Sequence, residues 1–183
     1  RHFMEEVKGL SAFGGISGYI VISVWPTIDV LNRLEAIVVH ELHHNVRYSP
    51  GGVVWDPVTV TVGEHVVAEG LADVFATELY GSHGYTHFVD DQTRNDDSVL
   101  AKVASGLQVT GMQDFAAWVL GDKTAQLFGA EPVGLPTGAG YAAGVRLVSE
   151  YLHLHGGTAA SNVHTPVETV LSDVLPRLGL GDE

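Results

Sequence analysis

The sequence predicts an α+β domain, mainly helical, with a small sheet packed beside its first long helix. Three observations carry that expectation. Apolar residues recur at helical spacing, as Val30, Leu31, Leu34, Ile37, Val38 and Leu42 do. The run Tyr19-Ile20-Val21-Ile22-Ser23-Val24-Trp25 has the β-branched and aromatic content of a strand. The chain has 183 residues, 45% hydrophobic and 17% charged, which suits one domain with one core and is too apolar for disorder.

In order, a glycine-rich stretch at 12–18 leads into the strand at 18–25, which Pro26 ends. A helix follows over about 28–48, closed by Pro50-Gly51-Gly52. Residues 49–60 read as a loop, with a short strand at 58–62 before Thr61 and Glu64 cap a second helix over 62–80. Residues 82–97 are polar and loop-like, and further helices are expected near 97–108, 111–120, 138–155 and 166–175. Thr110/Gln113 and Thr165/Glu168 have capping-box spacing, and Pro166 suits a first helical position. No repeat or linker divides the sequence, so residues 1–183 are read as a single domain. Its opening, Arg1-His2-Phe3-Met4, is that of a mature form or of a fragment lacking the N-terminal portion of the full protein.

Nine Lys and Arg against 22 Asp and Glu give a formal charge of -13, poor electrostatics for nucleic acid or an anionic membrane. The absence of cysteine excludes disulfides, iron–sulfur clusters, thiol nucleophiles and thiolate zinc sites. Any metal must rest on His, Asp and Glu. The longest apolar run, 18–25, is far short of the roughly 20 residues that span a bilayer. With no signal peptide or membrane span in view, a cytoplasmic location is favoured, and the oligomeric state is left open.

The ten histidines are a surplus, and two of them fall in His40-Glu41-Leu42-His43-His44, an HExxH pattern on a predicted helix. Residues four apart share a helix face, so His40 and His44 can converge on one tetrahedral ion. Glu41, beside the first ligand, can reach the ion's open position and take a proton from the attacking water. A third ligand must be His or carboxylate, and Glu69 in the second helix supplies one. Asp73, four residues on, can accept the free ring N–H of a ligand histidine. Gly70 would let these two helices approach closely.

These residues resemble a known family. His40-Glu41-Leu42-His43-His44-Asn45-Val46-Arg47, Glu69-Gly70-Leu71-Ala72-Asp73 and Gly140-Tyr141-Ala142-Ala143-Gly144 look like the YjaZ-like predicted zinc-dependent proteases, from about Gly14 to the C-terminal helix. That family has an HExHHxxR helix, an EGLA helix and a looser GYxxG helix. More broadly the pattern is similar to the gluzincins, the thermolysin-like clan, in which HExxH and a downstream Glu bind zinc. The resemblance implies a zincin domain with a Zn2+ cofactor, a peptide or protein substrate, and the strand at 18–25 holding the extended peptide. The near-continuous apolar run of that strand also permits an interior strand that simply packs on the helix. The chain departs from the pattern where its Gly-Tyr motif reads on as Val145-Arg146, and in the loop at 49–60.

Other residues carry open readings. Arg47 lies on the metal-bearing face, either to bind a substrate carboxylate or oxyanion or to pair with Glu69, Asp73 or Glu78. Tyr141 is the first choice to help stabilise the oxyanion, ahead of His153, His155 and Tyr48, although a packed core tyrosine would read the same. His43 points away from the ion. His65, four before Glu69, is a supporting contact or a competing ligand, and His83, His87, Asp90 and Asp91 form a second metal site or a solvated loop.

The reading is a zinc metallopeptidase with Glu41 as general base. A non-catalytic or regulatory zinc module, closed by a fourth ligand such as His65, is the competitor from another class, and a zinc hydrolase of other amides or esters also fits the ligands.

Overall fold

A computed structural model describes residues 1–181. The elements are α1 (His2–Glu6), β1 (Leu10–Ile16), β2 (Tyr19–Val24), α2 (Ile28–Leu31), α3 (Leu34–Arg47), α4 (Val62–Tyr80), α5 (Asp91–Asn95), α6 (Asp97–Ala104), α7 (Asp122–Phe128), α8 (Ala139–His155) and α9 (Val167–Val174). Tight turns of 3-10 helix occur at Gly81–Gly84 and Met112–Asp114, and a π-helical turn at Ala116–Leu120. The domain is α+β and mainly helical, with one two-stranded antiparallel sheet among the described residues. No helix there is long and apolar enough to cross a membrane.

Helix α4 is the central element. Val66, Val67 and Leu71 from it pack with Leu147 and Val148 of α8, and with Val103, Val119, Val170 and Val174. The Thr61 hydroxyl accepts the Glu64 N–H at 3.0 Å and starts the helix. Two glycines set its crossing with α8. A Cβ at Gly70 would strike the Gly144 carbonyl, and one at Gly144 the Val66 carbonyl. Gly70 therefore brings α4 onto α8, and not, as its place beside the ligand predicts, onto the HExxH helix.

The helix expected over 28–48 is broken at Asn32–Arg33, where i to i+3 bonding from Arg33 to Val30 ends α2. The expected strand at 58–62 is reduced to one bridge between Thr61 and Thr110. Thr110 and Thr165 do not cap helices by their side chains; α9 begins after Pro166 instead. Helices α1 and α7 are too short for periodicity to reveal.

The hairpin corrects the reading of the strands. β1, read as a glycine-rich lead-in, pairs with β2 through Leu10↔Val24 and Phe13↔Val21, with an irregularity before Ile16↔Tyr19. It is β1 that lies on α3, since a Cβ at Gly14 would strike the Glu41 backbone. Asn45 ties down the turn. Its amide N–H groups are shared among the carbonyls of Gly14 (3.0 Å), Ile16 (2.7 Å) and Tyr19 (2.8 Å), and its oxygen accepts the Gly18 N–H at 2.8 Å. β2 is the outer strand, with Tyr19 71% and Val21 58% exposed, so its apolar run does not mark an interior strand.

Candidate metal centre

Helix α3 carries His40 and His44 one turn apart on the side facing α4, and Glu69 meets them from the middle of α4. His40 Nε2 lies 3.1 Å from His44 Nε2 and 3.0 Å from Glu69 Oε2, and His44 Nε2 lies 3.2 Å from the same oxygen. The three side chains are only 8–12% exposed. Asp73, one turn after Glu69, accepts the His40 Nδ1–H at 3.0 Å. Its carboxylate also accepts from the Thr86 hydroxyl at 2.8 Å and the Thr86 N–H at 3.1 Å, which fastens the segment after the Gly81–Gly84 turn.

With Nδ1–H given to Asp73, the lone pair on His40 Nε2 faces a carboxylate oxygen and a second imidazole nitrogen. Lone pairs so arranged repel unless a cation or a proton stands between them. Tetrahedral ligation at about 2.0–2.2 Å puts donors about 3.3–3.6 Å apart, so the observed triangle is a few tenths of an ångström too tight and otherwise of the right shape. Without an ion, a proton takes the place. Burial opposes a charge on His40, but hydrogen bonds to Asp73 and Glu69 outweigh it and raise its imidazole well above the usual range. Burial likewise opposes a charge on Glu69, yet the charge of His44 and the bonds to both imidazoles hold its carboxyl far below the carboxylate range. His44 Nδ1 is buried without a partner among the described residues.

Glu41 is 7% exposed and borders the same cleft. Burial raises its carboxyl, against the pull of nearby His40 and His44. The cleft measures about 240 Å3, and β1 forms one wall while no residue of β2 reaches it. β1, and not the run at 18–25, is therefore the strand that borders the cleft. The Tyr141 ring stacks on His40 with centroids 6.3 Å apart and meets Phe88 edge-on at 5.4 Å. Burial, and then the charges of Glu69, Glu41 and Asp73, keep its phenol well above its ordinary range, so the hydroxyl remains a donor.

Arg47 does not join this group. It is fully buried, and its Nε and Nη2 each donate at 2.7 Å to Glu64, while Nη1 donates to the carbonyls of Val163 and Thr165 at 2.8 and 3.1 Å. Its carboxylate partner is Glu64 rather than Glu69, Asp73 or Glu78. Glu78 instead accepts the Ala159 N–H at 3.0 Å. The Tyr48 hydroxyl also donates to Glu64, at 2.9 Å. His43 Nε2 donates to the Ala159 carbonyl at 3.2 Å, and burial drops its imidazole to about 3. His65 packs edge-on against Phe115 at 4.7 Å and stands outside the three-ligand group. His155 pairs with Asp173 at 2.9 Å. No second group of three ligands forms around His83 and His87 among the described residues.

Sequence reasoning passed over three supporting residues: Asn45, Glu64 and Thr86. Asn45 is in the HExHHxxR run itself, and Glu64 was masked by its fitness as a cap partner. Thr86 carries no signal, because its loop makes a contact the sequence does not announce.

A family model described as predicted Zn-dependent protease (DUF2268) matches residues 2–172. The chain belongs to this family. The uncharacterized protein YjfC of Bacillus subtilis (strain 168) is 34% identical over 173 residues, covering 92% of this chain and 56% of YjfC. The chain thus spans little more than half the length of that curated relative. No solved structure matches. The resemblance drawn from the motifs is to the same kind of protein, and the two imidazoles and one carboxylate fit the zinc that the family description names.

Proposed function

We propose that this chain is a zinc metallopeptidase domain of the gluzincin type, spanning residues 1–183, in which His40, His44 and Glu69 hold the ion. One observation carries the reading: three ligand atoms within 3.2 Å of one another, with Glu41 beside them in an apolar cleft. Bound zinc supplies a Lewis acid that acidifies a water and polarises a carbonyl. Glu41 takes the proton of the attacking water and passes it to the leaving amine. Tyr141 donates its phenolic hydrogen to the carbonyl oxygen as charge develops there. Asp73 fixes the His40 tautomer so that Nε2 faces the ligand position. Arg47 acts at a distance, by fastening α3 to α4 and to the 163–165 segment. The cleft-side edge of β1 pairs with an extended peptide or protein substrate.

Glu41→Gln should retain one zinc per chain by elemental analysis and lose peptide hydrolysis by a factor of about 10^2–10^4. Hydrolysis that survives in that variant, or in chelated protein, overturns the reading. The competing closed site needs a fourth protein ligand, and His65 lies outside the group that the three ligands form.

A further inference from the structure

Resting on the peptidase reading above, we infer that the cleft cuts bonds inside a peptide chain, beside a large apolar residue whose side chain enters the space bounded by Trp55, His65, Met112 and Phe115. These four side chains are among those that line the cleft. The His65 ring joins them, 4.7 Å from Phe115 and 6.5 Å from Trp55 between centroids. The cleft's volume, about 240 Å3, is below the roughly 300–1,000 Å3 of a pocket for a drug-sized ligand and suits one or two side chains of an extended strand.

An exopeptidase must hold a charged chain end, and a lone charge moved from water into an apolar cleft requires a fixed counter-charge. None of the nine Lys and Arg residues lines this one. Arg47 is consumed by Glu64, Arg94 donates to the carbonyls of Thr86 and Val89, and Lys8 and Arg33 donate to those of His87 and His83. Among the described residues the cleft's carboxylates are Glu41 and Glu69, both already engaged by the proposed chemistry. An internal stretch of peptide brings only backbone N–H and C=O groups, which need hydrogen-bond partners. His65 lines the cleft, and its Nε2 is buried without a partner among the described residues.

The test uses the zinc-loaded chain and one hexapeptide series, acetylated and amidated or with free ends, whose central residue is Phe, Leu, Gly or Asp. Capped and free peptides should be cut at the same internal bond with kcat/KM within about threefold, and Phe or Leu should exceed Gly and Asp by about tenfold or more. Refusal of capped peptides while free ones are trimmed from an end, or preference for Asp, overturns the inference. A binding arm uses Glu41→Gln protein and calorimetry with the capped Phe and Asp peptides. There the Phe peptide should bind about tenfold tighter, and Trp55→Ala should remove most of that margin. His65→Phe, which keeps the ring and loses Nε2, should weaken both peptides alike. Met112→Lys alters a residue already 37% exposed, so folding is spared, and it should shift the ratio toward Asp by about fivefold. Equal binding of the two peptides, or a ratio unmoved by Trp55→Ala and Met112→Lys, also overturns the inference. If neither capped nor free peptides are cut, the peptidase reading fails, and the binding arm still decides the pocket.

Discussion

Arg47 and His44 leave α3 three residues apart, and each reaches a carboxylate of α4, Glu64 for one and Glu69 for the other. At Arg47 the charges cancel, and four hydrogen bonds go to Glu64 and to two carbonyls of the C-terminal segment. At His44 two imidazole nitrogens and a carboxylate oxygen turn toward one point and supply no cation of their own. The first cluster is complete as an isolated protein; the second becomes so only with a proton or a metal ion. A cluster of the first kind clamps helices, and one of the second kind binds.

The largest effect should come from breaking the closed cluster. Arg47→Ala leaves Glu64 buried without its guanidinium, a change expected to cost about 3–5 kcal/mol in urea unfolding of metal-free protein. Replacing both partners together, Arg47→Met with Glu64→Leu, should recover much of that loss, because no uncompensated charge then remains. A loss under about 1 kcal/mol from Arg47→Ala would mean that water reaches the pair and that it does not clamp the helices.

The open cluster should respond to metal where the closed one does not. Zinc at about 100 times its Kd should raise unfolding free energy by about 2.7 kcal/mol, if the ion binds only the folded chain. His44→Ala should abolish that increment, and Arg47→Ala, studied under conditions where it remains folded, should keep it. An increment that survives His44→Ala would place the ion elsewhere.

How much of this difference was legible in the sequence follows from the range of the contacts. His40, Glu41 and His44 are related by helix geometry alone, and so are Glu69 and Asp73, so each half-site is readable within five residues. That His40 meets Asp73 and Arg47 meets Glu64 depends on where α3 lies along α4, which no local pattern encodes. Four carboxylates of α4 follow one another at intervals of four or five residues, and the sequence offers Arg47 no means of choosing among them. The hairpin was half legible for a related reason. Gly14 and Gly15 depress the strand signal of β1, yet Gly14 is required there because the strand backbone lies directly on Glu41.

The smallest of these effects concerns Asp73, which links the open cluster to the cleft wall. Its carboxylate holds His40 by Nδ1–H and the chain at Thr86 by a hydroxyl and an amide. Asp73→Asn keeps the size and one acceptor oxygen but removes the charge and turns an amide N–H toward one of three donors. Zinc affinity should fall by about 10–100-fold, since the outer hydrogen bond sets both the tautomer and the basicity of the ligand imidazole. That corresponds to about 1.4–2.7 kcal/mol, measurable by competition with a chelator of known affinity. His44, with Nδ1 unpartnered among the described residues, provides the internal contrast: no side chain there fixes its tautomer, so its contribution to affinity should be insensitive to the same substitution. Unchanged zinc affinity in Asp73→Asn would show that Asp73 serves the Thr86 segment alone, and that neither ligand histidine is oriented by a carboxylate.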